Sequence, residues 1–133
     1  MAKNINRDKI IRLYSGLDKE IGKIAEVLEQ PEIKIYDSDR NSSTIYFFIS
    51  PFSPDIDVTI GIVKPDKSKL PIFNLDFMGL SNDLEYVFLL DLKQEQINQS
   101  GKYGFTLWFN SEGRKVVAMD GTFRVLKNVE EVK

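Results

Sequence analysis

The sequence predicts a mainly β domain, an antiparallel β-sandwich preceded by one N-terminal α-helix. Three observations support this fold class: a helical periodicity before Pro31, a periodicity of two after it, and turn-forming residues roughly every ten positions from there on. The chain has 133 residues, of which 42% are hydrophobic, so it is long enough to bury one sizeable core. We expect about eight strands, which is enough for two packed sheets.

The predicted helix occupies residues 1–30 and depends on an apolar stripe with alternating spacings of four and three. The stripe consists of Ile10, Tyr14, Leu17, Ile21, Ile24 and Leu28. Asn6 suits a helix N-cap, and Pro31 resists continuation of the helix. Gly16 and Gly22 each weaken such a helix by up to about 1 kcal/mol relative to alanine, so it needs an apolar neighbour. That neighbour is either the domain's own sheet or another subunit, and we expect the stripe to mediate assembly.

The predicted sandwich domain spans residues 31–127, and residues 128–133 are expected to begin a linker to a C-terminal region outside this chain. Alternating apolar residues predict strands at 33–36, 44–50, 58–62, 73–77 and 85–92. A polar helical turn is expected at 94–99. Three further strands are predicted within Gly101–Lys127, with turns at Asn110–Gly113 and at Asp120–Gly121.

Composition disfavours several classes of function. The chain contains no cysteine and no histidine, which removes disulfides, thiolate sites, the commonest metal ligand and the usual general base. The net charge is −2 with both signs interspersed, so nucleic acid is not an expected partner. No apolar run approaches the roughly 20 residues that cross a membrane. We therefore expect no catalytic, cofactor or metal site.

Four aromatic residues fall on the strand faces opposite the main apolar faces: Tyr36, Tyr46, Phe48 and Trp108. Two interpretations remain open. They form a second core beneath the N-terminal helix, or they form an exposed patch that stacks on sugar rings or anchors a protein partner.

Beyond this pattern, the order of turns and strands resembles the N-terminal domain of baseplate upper proteins from tailed phages of Gram-positive bacteria. The resemblance covers about residues 31–127, and Lys67 stands where that family's turn usually carries glycine. The segments that carry it are Ser38–Ser50 (SDRNSSTIYFFIS), Val63–Ser68 (VKPDKS), Leu92–Phe109 (LKQEQINQSGKYGFTLWF) and Thr122–Val125 (TFRV).

The resemblance implies an immunoglobulin-like sandwich that acts as a structural adaptor without enzymatic activity. Such a domain is expected to attach to the distal tail hub protein, with receptor-binding proteins carried by a C-terminal region not present here. It implies a protein made in the host cytoplasm and located in the virion's tail-tip baseplate, as a homo-oligomer that we expect to be a trimer. The alternative is a carbohydrate-binding module that recognises cell-wall saccharide through Trp108 and neighbouring tyrosines. A fragment of a glycosidase is a third interpretation, which would need a pair of carboxylates.

Overall fold

In the part of the chain that the structure describes, ten β-strands form two five-stranded sheets, so the mainly β prediction is confirmed. The computed structural model describes residues 9–15, 26–36, 43–50, 56–111 and 113–126. The strands are β1 (Ile10–Tyr14), β2 (Glu26–Glu29), β3 (Ile33–Tyr36), β4 (Thr44–Ser50), β5 (Asp57–Val63), β6 (Phe73–Asn74), β7 (Asp76–Leu80), β8 (Tyr86–Asp91), β9 (Gly101–Ser111) and β10 (Arg114–Leu126). A short 3-10 helix, Gln94–Gln96, lies between β8 and β9 where a helical turn was predicted.

The first sheet has the strand order β2-β1-β4-β8-β7, and the second has the order β3-β10-β9-β5-β6. Most neighbours are antiparallel, as predicted. However, β1 runs parallel to β4, and β3 runs parallel to β10. A purely antiparallel arrangement is therefore wrong. Each parallel pair joins an N-terminal strand to a strand further along the chain, which a hairpin turn could not do.

The N-terminal helix is also a wrong prediction over the described residues. Ile10–Tyr14 and Glu26–Glu29 are instead the antiparallel strands β1 and β2. In the extended chain Ile11 and Leu13 point into the core, where they are 0% and 1% exposed. Three members of the predicted stripe, Leu17, Ile21 and Ile24, lie outside the described residues.

The reason for this error is that a spacing of four satisfies both periodicities. Ile10 and Tyr14 share a face in a helix, and they also share a face in a strand. As a strand, this segment buries Ile11 and Leu13 and pairs with both β2 and β4. A glycine-weakened helix would need a partner surface to be stable, so the tertiary contacts favour the strand.

Side chains from the inner faces of both sheets form one core. The ring of Phe47 from β4 meets that of Phe105 from β9 edge to face, with centroids 5.9 Å apart. Tyr103 stacks on Phe123 within the second sheet at 5.0 Å. Full burial of a large apolar side chain contributes about 1.5 to 3 kcal/mol, so the burial of these rings between the sheets stabilises the domain.

The C-terminal segment forms two strands where three were predicted. Asp120 and Gly121 lie within β10, paired with Thr106 and Phe105 of β9, and no turn occurs there. The Asp120 carboxylate accepts a hydrogen bond from the Thr106 hydroxyl at 2.6 Å. A Cβ atom on Gly121 would collide with the ring of Phe105, so glycine is needed here for packing. The predicted turn before β10 is confirmed, with Gly113 at a φ of 78°.

The strand predicted at 73–77 is divided between the two sheets. Phe73 and Asn74 pair with β5 in the second sheet, whereas Asp76 begins β7 in the first sheet. The chain crosses between the sheets at Leu75, whose amide still donates to the carbonyl of Val58 at 3.0 Å. Strands β6 and β7 therefore form the same edge of the domain.

Candidate docking surface

Strand β7 ends the first sheet and has a paired neighbour on one side only within the described part of the chain. Three of its five residues are large, apolar and about half exposed: Phe77 (54%), Met78 (49%) and Leu80 (54%). Soluble proteins usually protect edge strands with charge, and a contiguous exposed apolar patch commonly marks an interaction site. We call Phe77, Met78, Leu80 and the neighbouring Leu84 the β7 edge surface.

Leu84 lies in the hairpin between β7 and β8 and is 70% exposed. Its amide donates to the carbonyl of Ser81 at 3.0 Å, and the Ser81 amide donates to the carbonyl of Glu85 at 2.8 Å. This hydrogen-bond pattern places Leu84 at a φ of 65°, a left-handed position that glycine usually occupies in such hairpins.

This left-handed conformation lowers the stability of the folded chain by roughly 1 to 2 kcal/mol when the residue is not glycine. Leu84 offsets little of this cost by burial, because most of its side chain faces solvent. Unfavourable backbone conformations of this kind concentrate at functional sites. The hairpin therefore holds an apolar side chain in solvent at a cost in stability, which suggests a binding role.

A cleft of about 230 Å³ opens beside the β7 edge surface, where the chain crosses between the sheets. The Phe77 ring centroid lies 5.4 Å from that of Phe88 and 5.5 Å from that of Tyr86. The cleft is smaller than the roughly 300 to 1,000 Å³ typical of small-molecule sites. It suits a single large side chain. Its apolar lining consists of Ile56, Val58, Leu75, Phe77, Tyr86 and Phe88.

The structure places two of the four predicted aromatic residues on the outer face of the first sheet. Phe48, which is 7% exposed, clusters there with Ile10 and Val87, and Tyr46 packs against them. The Arg12 guanidinium lies 4.9 Å from the centroid of the Phe48 ring. These aromatic side chains are thus covered by protein groups.

The other two aromatic residues belong to the second sheet. Trp108 is half-buried on β9, and the Lys115 ammonium lies 4.3 Å from the centroid of its ring. The far edge of the indole lies over Gly61, where a Cβ atom would approach it to 3.0 Å. Tyr36 is 37% exposed on β3, with β10 between its strand and β9. The structure therefore does not bring the four aromatic residues into one patch.

The described residues of the predicted assembly stripe do not form a common face either. Ile10 is buried at 7% exposure on the outer face of the first sheet, and Tyr14 is half-buried at the end of β1. Leu28 is 60% exposed on β2, the edge strand opposite β7 in the same sheet. Of these three, only Leu28 offers a largely exposed side chain.

Three basic residues lie side by side on the outer face of the second sheet, an arrangement that the sequence alone did not reveal. In the strand register, Arg124 of β10 is opposite both Lys34 of β3 and Lys102 of β9. All three are exposed. Like charges directly opposite one another destabilise a sheet. The sequence alone did not reveal this row because strand order, which places the three residues side by side, cannot be deduced from local alternation.

Two of the segments that carry the family resemblance meet at Asp66 and Gln99. The Asp66 carboxylate accepts hydrogen bonds from the Ser68 hydroxyl at 2.6 Å, the Ser68 amide at 2.9 Å and the Gln99 side chain at 2.8 Å. These bonds, led by the one from the Ser68 hydroxyl, lower the pKa of Asp66 to about 2. In the same turn Lys67 has a φ of 77°, the conformation that glycine favours.

Gln99 is also bonded to a core residue, Tyr103, which is 0% exposed. Its hydroxyl donates to the carbonyl of Gln99 at 2.8 Å and accepts from the Gln99 amide at 3.0 Å. Burial raises the pKa of the Tyr103 phenol above its ordinary value. The turn after β5 is thereby fixed to the start of β9.

The residues that the structure describes contain no group of three potential metal-ligating side chains, and no helix among them is long and apolar enough to cross a membrane. No protein-family model matches this sequence, and a search of curated proteins found no match. Functional inference therefore depends on the surfaces described above.

Proposed function

We propose that this protein is a structural adaptor of a tailed-phage baseplate, an immunoglobulin-like domain that docks other proteins and catalyses no reaction. The observation that carries a docking role is the β7 edge surface, which combines half-exposed large apolar side chains with the strained and exposed Leu84. Apolar patches of this kind are typical of protein interfaces.

The strand arrangement supports an immunoglobulin-like sandwich. In constant-type immunoglobulin domains, one sheet has the order A-B-E-D and the other has C-F-G. The first sheet contains β1-β4-β8-β7 and the second contains β5-β9-β10 in adjacent positions, which follow the same orders when β1 is strand A and β10 is strand G. The parallel pairing of β1 with β4 and the extra strands β2, β3 and β6 are variations on this arrangement.

Tyr103 gives independent support for this fold family. Immunoglobulin-like domains often have a tyrosine near the start of strand F whose hydroxyl bonds to the backbone a few residues upstream. Tyr103 is the third residue of β9, and its hydroxyl bonds to the backbone of Gln99.

The baseplate assignment itself rests on the family resemblance. Two of its segments are joined by the Asp66–Gln99 hydrogen bonds, and Lys67 adopts the conformation expected where the family carries glycine. The adaptor would bind the distal tail hub protein and carry receptor-binding proteins through a C-terminal region beyond this chain, as a trimer in the virion. We do not favour the saccharide-binding alternative, because Lys115 covers the face of Trp108 that would stack on a sugar.

The test is size-exclusion chromatography with light scattering, on this chain alone and mixed with the distal tail protein encoded in the same genome. Co-elution at micromolar concentration is the expected result, and Phe77→Ser should weaken it. Separate elution, together with binding of cell-wall polysaccharide that is lost in Trp108→Ala, would replace the adaptor with the saccharide-binding module.

A further inference from the structure

We propose that the β7 edge surface binds an extended segment of a partner protein in which one large apolar side chain is flanked by lysine or arginine. This inference rests on the proposed docking function and adds the chemistry of the partner. It follows from the shape of the cleft, the geometry of the strand and the distribution of charge.

The cleft determines the apolar part of the ligand. It measures about 230 Å³, and three aromatic rings line it: those of Phe77, Tyr86 and Phe88. Aromatic and large aliphatic side chains bind such apolar pockets through burial and ring contacts. Leu80 and Leu84, both more than half exposed, extend the apolar surface along the same hairpin. One inserted side chain with smaller apolar contacts beside it would fill this site.

The geometry of β7 indicates that recognition occurs mainly through side chains. The strand has five residues, and its pairing with β8 shifts register between Phe77 and Gly79. Gly79 also has a φ of 125°. A bulge twists an edge strand and interrupts its hydrogen-bonding groups, so a long continuous strand added to this edge would pair poorly.

Charge determines the flanks of the ligand. Residues 70–92 contain no lysine or arginine and four acidic residues, whereas the whole chain has 18 basic residues against 20 acidic ones. Of these four, Glu85 is paired with Arg12 at 3.3 Å, and Asp91 is paired with Lys93 at 3.9 Å. The remaining exposed carboxylates around the surface belong to Asp57, which lines the cleft, to Asp76 on β7, and to Asp83 beside Leu84. Electrostatic complementarity therefore favours a basic segment.

The same charges disfavour a second copy joined edge to edge, because that contact would oppose acidic residues. A copy joined head to tail would have to offer the basic row of Lys34, Arg124 and Lys102 on its second sheet. Beside that row, the outer face of β3 carries the aromatic side chain of Tyr36, but Tyr36 is only 37% exposed, so most of its ring is held against its own sheet and cannot insert fully into the cleft. A separate partner segment meets both requirements.

The experiment measures binding of a fluorescein-labelled peptide, Gly-Ser-Lys-Lys-Trp-Lys-Lys-Ser-Gly, to the full chain by fluorescence anisotropy. Two control peptides replace the lysines by glutamate or the tryptophan by alanine. We expect binding of the first peptide only, with an affinity that falls as salt is added. Leu84→Gly and Phe77→Ser should each weaken it about tenfold. Leu28→Ser is the matched control, since Leu28, at 60% exposure, lies between Phe77 and Leu84 in exposure and is on the opposite edge strand; this variant should bind normally.

Three outcomes would overturn the inference: no binding of the basic peptide up to millimolar concentration, equal binding of the glutamate peptide, or equal loss in Leu28→Ser. Self-association of the chain that Leu84→Gly abolishes would identify a second copy as the occupant and likewise overturn it. The hub protein gives a separate result. If the peptide binds as expected but the hub protein does not co-elute, the docking chemistry stands and the baseplate function fails. If the hub protein co-elutes equally with Leu84→Gly and Phe77→Ser, the adaptor function stands and this surface is not its interface.

Discussion

Replacement of Leu84 tests whether the hairpin gives up stability to present this side chain. Leu84 has a φ of 65° and is 70% exposed. We compare Leu84→Gly with Leu84→Ala, because both variants lose the same partly buried leucine side chain. The comparison therefore isolates the backbone conformation.

The expected magnitude follows from two opposing contributions. Alanine retains the left-handed strain, which costs roughly 1 to 2 kcal/mol, and glycine relieves it. Glycine in turn loses roughly 0.5 to 1 kcal/mol through its greater freedom in the unfolded chain. Leu84→Gly should therefore be more stable than Leu84→Ala by about 0.75 kcal/mol, the difference between the midpoints of the two ranges, or a few degrees in Tm for a chain of this size. At most positions in a protein, the alanine variant is the more stable of the two.

Urea denaturation followed by circular dichroism gives the free energy of unfolding for each variant. Leu28→Gly and Leu28→Ala form the control pair, because Leu28 is similarly exposed but does not have a positive φ. In that pair alanine should be the more stable. If alanine were at least as stable as glycine at position 84, the strain argument would be refuted, and with it the reason to treat Leu84 as a functional residue.

Three further predictions concern packing, hydrogen bonding and pH. Gly121→Ala should destabilise the domain by about 1 to 3 kcal/mol, because the new methyl group meets the ring of Phe105, as measured by the shift in urea midpoint. Tyr103→Phe should cost about 1 to 3 kcal/mol in the same assay, since it leaves the backbone groups of Gln99 without their partner. The pKa of Asp66 is lowered from 3.8 to about 2, so its contribution to stability is present above pH 4 and is lost as the pH falls toward 2. Thermal melts should show that the Tm of Asp66→Asn falls less between pH 4 and pH 2 than the Tm of the unsubstituted chain.

Local alternation predicted most of the β region because strands with one buried face must alternate. Thr44–Ser50 was predicted with the bounds that β4 has, and its inward residues Ile45, Phe47 and Ile49 are all buried. The turn between β9 and β10 was likewise predictable, because Gly113 occupies a positive φ. These features depend on near neighbours in the sequence.

The errors arose where distant contacts outweighed local preferences. Asp120–Gly121 has the composition of a turn, yet the bond to Thr106 and the ring of Phe105 fix both residues in a continuous strand. Leu28 appeared to complete a helical stripe but lies exposed on an edge strand. Strand order, which decides both outcomes, is not encoded in local periodicity.

The candidate site was missed for a related reason. Phe77 and Leu80 have the composition of core residues, and only the position of β7 at the sheet edge leaves them half exposed. Two signals were nevertheless present in the sequence: the absence of basic residues from 70–92, and a leucine in the Ser81–Glu85 turn where glycine is usual.

The location of the β7 edge surface also follows from how the chain connects its sheets. Because the chain crosses at Leu75, the strands on either side of it are short, and the core opens there beside Phe88. In the proposed complex, a partner side chain would fill this opening and cover the apolar hairpin in the same step. Binding would then return the stability that the free domain gives up at Leu84 and at the exposed edge, which makes docking at this surface favourable without any change in the core.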